Sequence, residues 1–230
     1  MQTQTNAQER KVTRNNDLVP AGRFITVEGI EGAGKSTAIK TIHQVLTEHH
    51  IDHIVTREPG GTPYAEEIRK LLLHKKGEPV DEKTELLLMF ASRAQHLGRL
   101  IEPSLKDGRW VLSDRFSDAS YAYQGGGRQL TDAVIATLEQ VVHPNRQPDL
   151  TLLLDVSAST GLKRISQRTT HDRIEQEKIA FFKSVRTSYI HRANKYPHRF
   201  VIIDANMVLS KVKSAIKAAV KEFIANHSHA

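Results

Sequence analysis

Gly29-Ile30-Glu31-Gly32-Ala33-Gly34-Lys35-Ser36 reads G-x-x-x-x-G-K-[ST], and the residues on either side give it context. Just before it, Phe24-Ile25-Thr26-Val27 is a short, β-branched, apolar run. Just after it, from Thr37 on, apolar residues fall at Ile39, Ile42, Val45 and Leu46, which is helical spacing. A strand, a glycine turn and a helix start make an anion cradle. The glycines let consecutive backbone N–H groups converge on one phosphate, and the helix dipole favours negative charge there. Residues 29–37 are therefore the expected ATP site, with Lys35 on the β- and γ-phosphates and the Ser36 hydroxyl on Mg²⁺. A bare octapeptide of this kind also occurs in ordinary tight turns; the flanking strand and helix are what favour a nucleoside triphosphate.

The chain has 230 residues, 39% of them hydrophobic, enough for one compact domain with a real core. It has no cysteine, so disulfides and thiolate metal sites are excluded and a reducing cytoplasm is the expected location. No apolar run has the length of a membrane span, and the polar stretch 1–16 has no signal-peptide core. Residues 1–21 read as a disordered extension, 22–225 as the folded domain and 226–230 as a frayed tail. The net charge is +7. Aromatic residues are only 6% and the basic residues are spread along the chain, so the charge suits polyphosphate ligands rather than nucleic acid.

Short apolar runs alternate with longer helical stretches, the pattern of a parallel sheet flanked by helices. Strands are predicted at 23–28, 53–56, 110–114, 149–155 and 199–204. The run Leu150-Thr151-Leu152-Leu153-Leu154 hardly alternates, as expected of a central strand covered on both faces. Helices are predicted at 34–49, 63–73, 82–106, 131–142, 157–167, 174–194 and 209–225. In such sheets ligands sit beyond the carboxyl ends of the strands. Glu28, Arg57-Glu58, Asp114-Arg115 and Asp204 all fall there.

Phosphoryl transfer needs positioning and charge neutralisation more than covalent help. Asp114, closing its strand, suits Mg²⁺, directly or through water, though a capping or ion-pair aspartate reads the same way. Arg115 beside it suits a phosphate contact. Arg57-Glu58-Pro59-Gly60-Gly61-Thr62 is either a turn or a site with a bidentate cation and a carboxylate. Tyr123-Gln124-Gly125-Gly126-Gly127-Arg128 is either a flexible loop or a close backbone approach with an amide that reads a base edge. Arginines 164, 168 and 173 flank a polar break between two helical stretches. They are either a solvated basic helix end or a hinged segment that brings an arginine to ATP and excludes water. The consecutive Leu86, Leu87, Leu88, Met89 and Phe90 are wider than one core-facing stripe. A second apolar face meeting another subunit and complete burial within one subunit both remain open.

With these residues in hand, the chain resembles bacterial thymidylate kinases over about 23–223. The motifs are V-E-G-I-E-G-A-G-K-S-T, T-R-E-P-G-G-T, A-S-R-A-Q-H (91–96), D-R-F (114–116), Y-A-Y-Q-G-G-G-R and D-R-I-E (172–175). The resemblance implies a three-layer P-loop NTPase fold with a five-stranded parallel sheet and a short mobile lid at about 164–174. It implies transfer of the ATP γ-phosphoryl group to dTMP in a homodimeric cytoplasmic enzyme feeding dTTP synthesis. By position, Arg57 and Arg115 would hold the dTMP phosphate, and Glu28 would sit near the sugar 3′-hydroxyl and the metal. Arg93 would reach the base, with Ser120 and Gln124 on its edge, and Tyr123 would pack where a ribose carries its 2′-hydroxyl. Gly32 stands where some relatives carry an arginine, so the resemblance assigns the catalytic arginine to the lid, at Arg168. Four residues before Arg93, where many relatives stack a phenylalanine on thymine, stands Met89; Phe90 follows it, and either could make that contact.

Overall fold

A computed structural model describes residues 22–73, 78–166 and 172–227. Five strands form one parallel sheet: β1 (Phe24–Glu28), β2 (His53–Arg57), β3 (Trp110–Asp114), β4 (Leu150–Asp155) and β5 (Phe200–Asp204). Their spatial order is β2-β3-β1-β4-β5, so the winding reverses around β1 and leaves a crevice at its carboxyl end. The register sets Asp114 beside both Val27 and Arg57, at the level of that crevice.

Both central strands are covered on both faces. β1 is buried throughout, and so are the five apolar-run residues of β4. Side chains of β1 alternate. Ile25 and Val27 join the larger core cluster with Ile42 and Val45 of α1 (Lys35–Glu48). Phe24 turns the other way, onto Ile101 and Phe116. Thr26 and Glu28 share that second face, where Thr26 meets the Thr151 hydroxyl at 3.0 Å.

The other helices are α2 (Pro63–Leu73), α3 (Glu82–His96), α4 (Glu102–Lys106), α5 (Ser117–Ser120), α6 (Asp132–Val142), α7 (Ala158–Ile165), α8 (Ile179–Lys195) and α9 (Leu209–His227). A wide π-type turn, Leu97–Ile101, joins α3 to α4, so the predicted helix 82–106 is continuous but not regular. At the other end, α9 runs to His227, into the stretch read as a tail, with the His227 imidazole on the Phe223 carbonyl at 2.8 Å. The N-terminal extension, residues 228–230 and the centre of the expected lid, 167–171, lie outside the described residues.

One segment differs in kind from its flexible-loop reading. Tyr121–Gly127 is a π-helical turn continuing α5. Its glycines serve packing. A Cβ on Gly126 would stand 2.7 Å from Ser188 Cβ, and one on Gly127 would stand 2.4 Å from the Phe181 ring. Side chains there would push α8 away.

Candidate active site

The phosphate loop leaves β1 at Gly29 and enters α1 through Gly34. Gly34 has φ 96°, and among the described residues no side chain caps the helix start. The Gly34 carbonyl accepts from Thr37 and Ala38 N–H, at 3.0 and 3.1 Å, which closes the turn into α1. Gly32 has φ 73°, and a Cβ there would meet the Gly161 carbonyl oxygen of α7 at 2.2 Å. An arginine at Gly32 is thus sterically excluded. Lys35 Nζ folds back onto the carbonyls of Gly29 and Ile30 at 3.2 and 3.3 Å. Burial and then Arg115 push its ammonium pKa down, against the pull of Asp114, Glu31 and Glu28.

A cleft of about 380 Å³ runs from this loop, past Asp114 and Arg115, to α3 and the Tyr121–Gly127 turn. Its lining includes Glu31, Gly32, Gly34, Lys35, Ser36 and Thr37 from the loop. It also includes Arg57, Glu58, Met89, Arg93, Ser120, Tyr123 and Gln124. The structure therefore brings most of the sequence-predicted residues into one crevice; within the loop Gly29, Ile30 and Ala33 are not part of its lining, and elsewhere there are four exceptions.

The first exception is Glu28. The alternation of β1 turns it beneath the cleft, where it is 0% exposed. Its Oε1 accepts from Phe116 N–H at 2.7 Å and its Oε2 from the Tyr189 hydroxyl at 2.6 Å. Glu28 does not line the cleft. Burial, then the nearby Asp118, push its carboxyl from 4.5 up to about 8. The second is Phe90. Met89 and Arg93 are four apart on α3 and share its cleft-facing side, whereas Phe90 turns into a cluster with Leu86, Tyr121 and Ile135. The third is Arg168, which lies outside the described residues. The fourth is Asp204, also expected at the crevice, which instead holds Asn206.

Two arrangements hold the cleft. Near the loop, Arg115 has φ 76° and donates to the Gly29 carbonyl (3.0 Å), the Tyr189 hydroxyl (3.0 Å), Glu31 Oε1 (2.7 Å) and the Tyr123 hydroxyl (2.9 Å). Its charge also sits 4.7 Å from the Tyr123 ring centre. Beside it, Asp114 Oδ1 is buried and has no hydrogen-bond partner among the described residues. At the far end, Arg93 donates to Glu58 (2.7 Å), the Ser120 hydroxyl (3.1 Å) and the Phe116 carbonyl (3.2 Å). His96 braces Glu58 at 3.1 Å. Burial raises the Glu58 pKa, but Arg93 and His96 outweigh it and hold the carboxyl below its usual value. Arg57 is half exposed and paired with Glu66 at 3.0 Å.

Sequence reasoning missed several residues in and beside the cleft. Arg69 of α2 lines the cleft and donates to the Pro59 carbonyl at 2.8 Å. Its signal was a cation on the same helical stripe as Ala65 and Leu72. Phe116 and Asp172 also line the cleft, and Tyr189 reaches Arg115 from α8. Of the three lid arginines, Arg164 donates to the carbonyls of Gly32 (3.2 Å) and Ala205 (3.1 Å), and Arg173 to Glu85 and the Leu72 carbonyl.

A family model described as Thymidylate kinase matches residues 27–216. The chain is 51% identical to a thymidylate kinase of Teredinibacter turnerae over 203 residues, 88% of this chain and 99% of that one. It is 52% identical to one of Chromohalobacter salexigens over 209 residues, 90% of this chain and 99% of that one. The crystal structure of a thymidylate kinase from Ehrlichia chaffeensis superposes with a TM-score of 0.72 at 31% identity, covering 89% of this chain and all of the other.

Proposed function

The chain belongs to the thymidylate kinase family, and from that premise we propose how its cleft carries out the phosphorylation of dTMP to dTDP. ATP lies with its phosphates on the amides of the loop, Gly29 to Thr37, and on Lys35. dTMP lies opposite, its phosphate toward Arg57, Arg69 and Arg115 and its base toward Arg93, Ser120 and Gln124. A phosphate oxygen of dTMP attacks the γ-phosphorus in line. The bond from that phosphorus to the β-bridging oxygen breaks, and ADP leaves.

The observation that carries this reading is the cleft's two-ended lining. Lys35, Asp114 and Arg115 stand at one end, and a buried Arg93, anchored by Glu58, stands at the other. Guanidinium N–H groups only donate, so Arg93 suits the 4-carbonyl of thymine and repels a 4-amino group. Met89 lies beside the base, where its thioether suits contact with a ring. Tyr123, held by Glu31 and Arg115, fills the space where a ribose would carry its 2′-hydroxyl.

The lone buried oxygen of Asp114 and the open hydroxyl of Ser36 are hard donors that fit Mg²⁺. They would hold it between them and the ATP phosphates. Bound there, the ion neutralises charge on the β- and γ-oxygens. Arg164 and Arg173 are committed to carbonyls and to Glu85, which supports Arg168 as the arginine that meets the transferring group.

Leu87 of α3 and Val134 and Val141 of α6 are exposed apolar residues on two helices that pack together, which supports a homodimer. Sedimentation at micromolar concentration is expected to give twice the 25.9 kDa chain mass; a monomer would reject the dimer. Among the described residues no helix is long and apolar enough to cross a membrane, in keeping with a cytoplasmic enzyme. Measuring ADP release with dTMP, dUMP, dCMP and thymidine tests the substrate. Turnover is expected with dTMP foremost and none with thymidine, which lacks the phosphate that Arg57, Arg69 and Arg115 face. Equal turnover without an acceptor would refute the assignment.

A further inference from the structure

Glu85 lies one turn before Met89 on α3, fully buried, and accepts hydrogen bonds from two segments far from it in the chain, the Tyr121–Gly127 turn with Arg128 at its end, and Arg173. Gln124 Nε2 donates to its Oε1 at 2.8 Å, Arg128 Nη2 to its Oε2 at 3.3 Å and Arg173 Nη2 to the same oxygen at 2.5 Å. Arg128 is itself held by Glu177 at 2.6 Å, and Arg173 by the Leu72 carbonyl at 3.0 Å. Two guanidinium groups keep the carboxyl ionised, and an ionised carboxyl only accepts. The end of the Gln124 carboxamide that faces Glu85 is therefore its amino end. Gln124 lines the cleft, and Glu85 is the partner of its side chain among the described residues. The carbonyl oxygen of the amide is left for a ligand.

This matters for the choice of base, on the reading given above in which Gln124 meets the base edge. Thymine and uracil carry an N–H donor at ring position 3, whereas cytosine carries an acceptor there and an amino group at position 4. A fixed carboxamide that offers its oxygen pairs with the first and leaves the second unpaired. A carboxamide free to turn over serves both. We propose that Glu85 is a specificity-determining positioning residue: it locks the Gln124 amide in one orientation and so sets the preference for a 4-oxo over a 4-amino pyrimidine monophosphate. Arg128 and Arg173 support this by keeping the carboxylate where it is.

Steady-state kinetics of the full chain with dTMP and dCMP test the assignment. In Glu85→Gln the facing group both donates and accepts, so the amide is free to turn. The ratio of kcat/KM for dTMP over dCMP is expected to fall about tenfold or more, with the change in KM rather than kcat. Glu85→Asp keeps an acceptor-only group and is expected to hold the ratio within about threefold even where KM rises. An unchanged ratio in Glu85→Gln, or an equal fall in Glu85→Asp, overturns the proposal. Gln124→Ala separates the two layers. If it leaves KM and the ratio as in the parent, base reading by Gln124 fails. If it collapses the ratio while Glu85→Gln does not, only the role of Glu85 fails. Should Glu85→Gln melt below assay temperature, the swap Glu85→Gln with Gln124→Glu carries the test. It returns an amide–carboxylate pair in which the group at position 124 still offers only an acceptor to the cleft. A swap variant that holds the preference for dTMP supports the proposal, and one whose ratio collapses as far as in Gln124→Ala overturns it.

Discussion

The two ends of the cleft are built in opposite ways. The phosphate end is local: the residues from Gly29 to Thr37 are contiguous, and in the proposed reading main-chain N–H groups placed by glycines do the binding. The base end is assembled from distant parts. Glu58 follows β2, Arg93 sits on α3, Ser120 ends α5, and Glu85 draws in Gln124, Arg128 and Arg173. A loop of amides tolerates exposure, whereas buried charges must each find a partner. Damage at the first end should therefore show in turnover and local strain, and damage at the second in stability and acceptor affinity together.

The largest expected effect tests the phosphate end. Arg168→Ala is expected to lower kcat by about 10³ or more and leave the dTMP Kd within about twofold. Single-turnover kinetics beside dTMP titration would check it, and a matching loss in binding would remove Arg168 from the transferring group. At the base end, Glu58→Gln leaves Arg93 buried without its carboxylate, a loss of about 3 kcal/mol in unfolding free energy accompanied by a raised KM for dTMP. Urea melts read the first and initial rates the second. A KM that rises with no loss of stability would mean that the two are not coupled as the comparison holds.

Glu28 lies between the two ends, under both. Its folded carboxyl titrates near 8 and its unfolded one near 4.5, so between these values the folded chain binds the extra proton. Its contribution to stability is therefore full below 4.5 and falls as pH rises, by about 1.4 kcal/mol per unit, until the folded group ionises. Glu28→Gln, which imitates the protonated acid, should remove that slope between pH 5.5 and 7.5, where parallel curves for parent and variant would contradict the assignment. Gly32→Ala meets both φ 73° and the Gly161 carbonyl, and should cost about 1–3 kcal/mol with a raised KM for ATP. The smallest stability effect belongs to Arg57→Ala. Its pair with Glu66 is half exposed, so unfolding should change by less than about 1 kcal/mol while KM for dTMP rises.

The same contrast explains what was legible beforehand. All five strands and the phosphate loop could be read because each is written in consecutive residues: a β-branched run, a glycine turn, an apolar stripe. Of the residues beyond the strand ends, Arg57, Glu58, Asp114 and Arg115 line the cleft, since topology alone carries Asp114 and Arg57 to one crevice, whereas Glu28 and Asp204 do not. What misled was orientation at single-residue resolution. Phe90 is one position from cleft-lining Met89, yet a helix turns its next side chain by about 100°, and Glu28 closes a buried strand whose alternation points it beneath the cleft. The glycine triplet could be read equally as a flexible loop or as a close backbone approach; its helical form depends on α8, some sixty residues away, coming close enough to exclude any side chain. Arg69, Tyr189 and Glu85 had no motif to announce them; their roles come from partners that only the folded chain supplies.

The central claim is that one cleft takes two nucleotides phosphate to phosphate, a triphosphate on the loop and a pyrimidine monophosphate on the Arg93 side. A crystal structure with dTMP and a non-hydrolysable ATP analogue tests it most directly. The account predicts the thymine edge within hydrogen-bonding reach of Arg93 and Gln124, with the 5′-phosphate beside Arg115 and facing the γ-phosphate. A thymine bound away from Arg93, or a 5′-phosphate directed away from the loop, would contradict it.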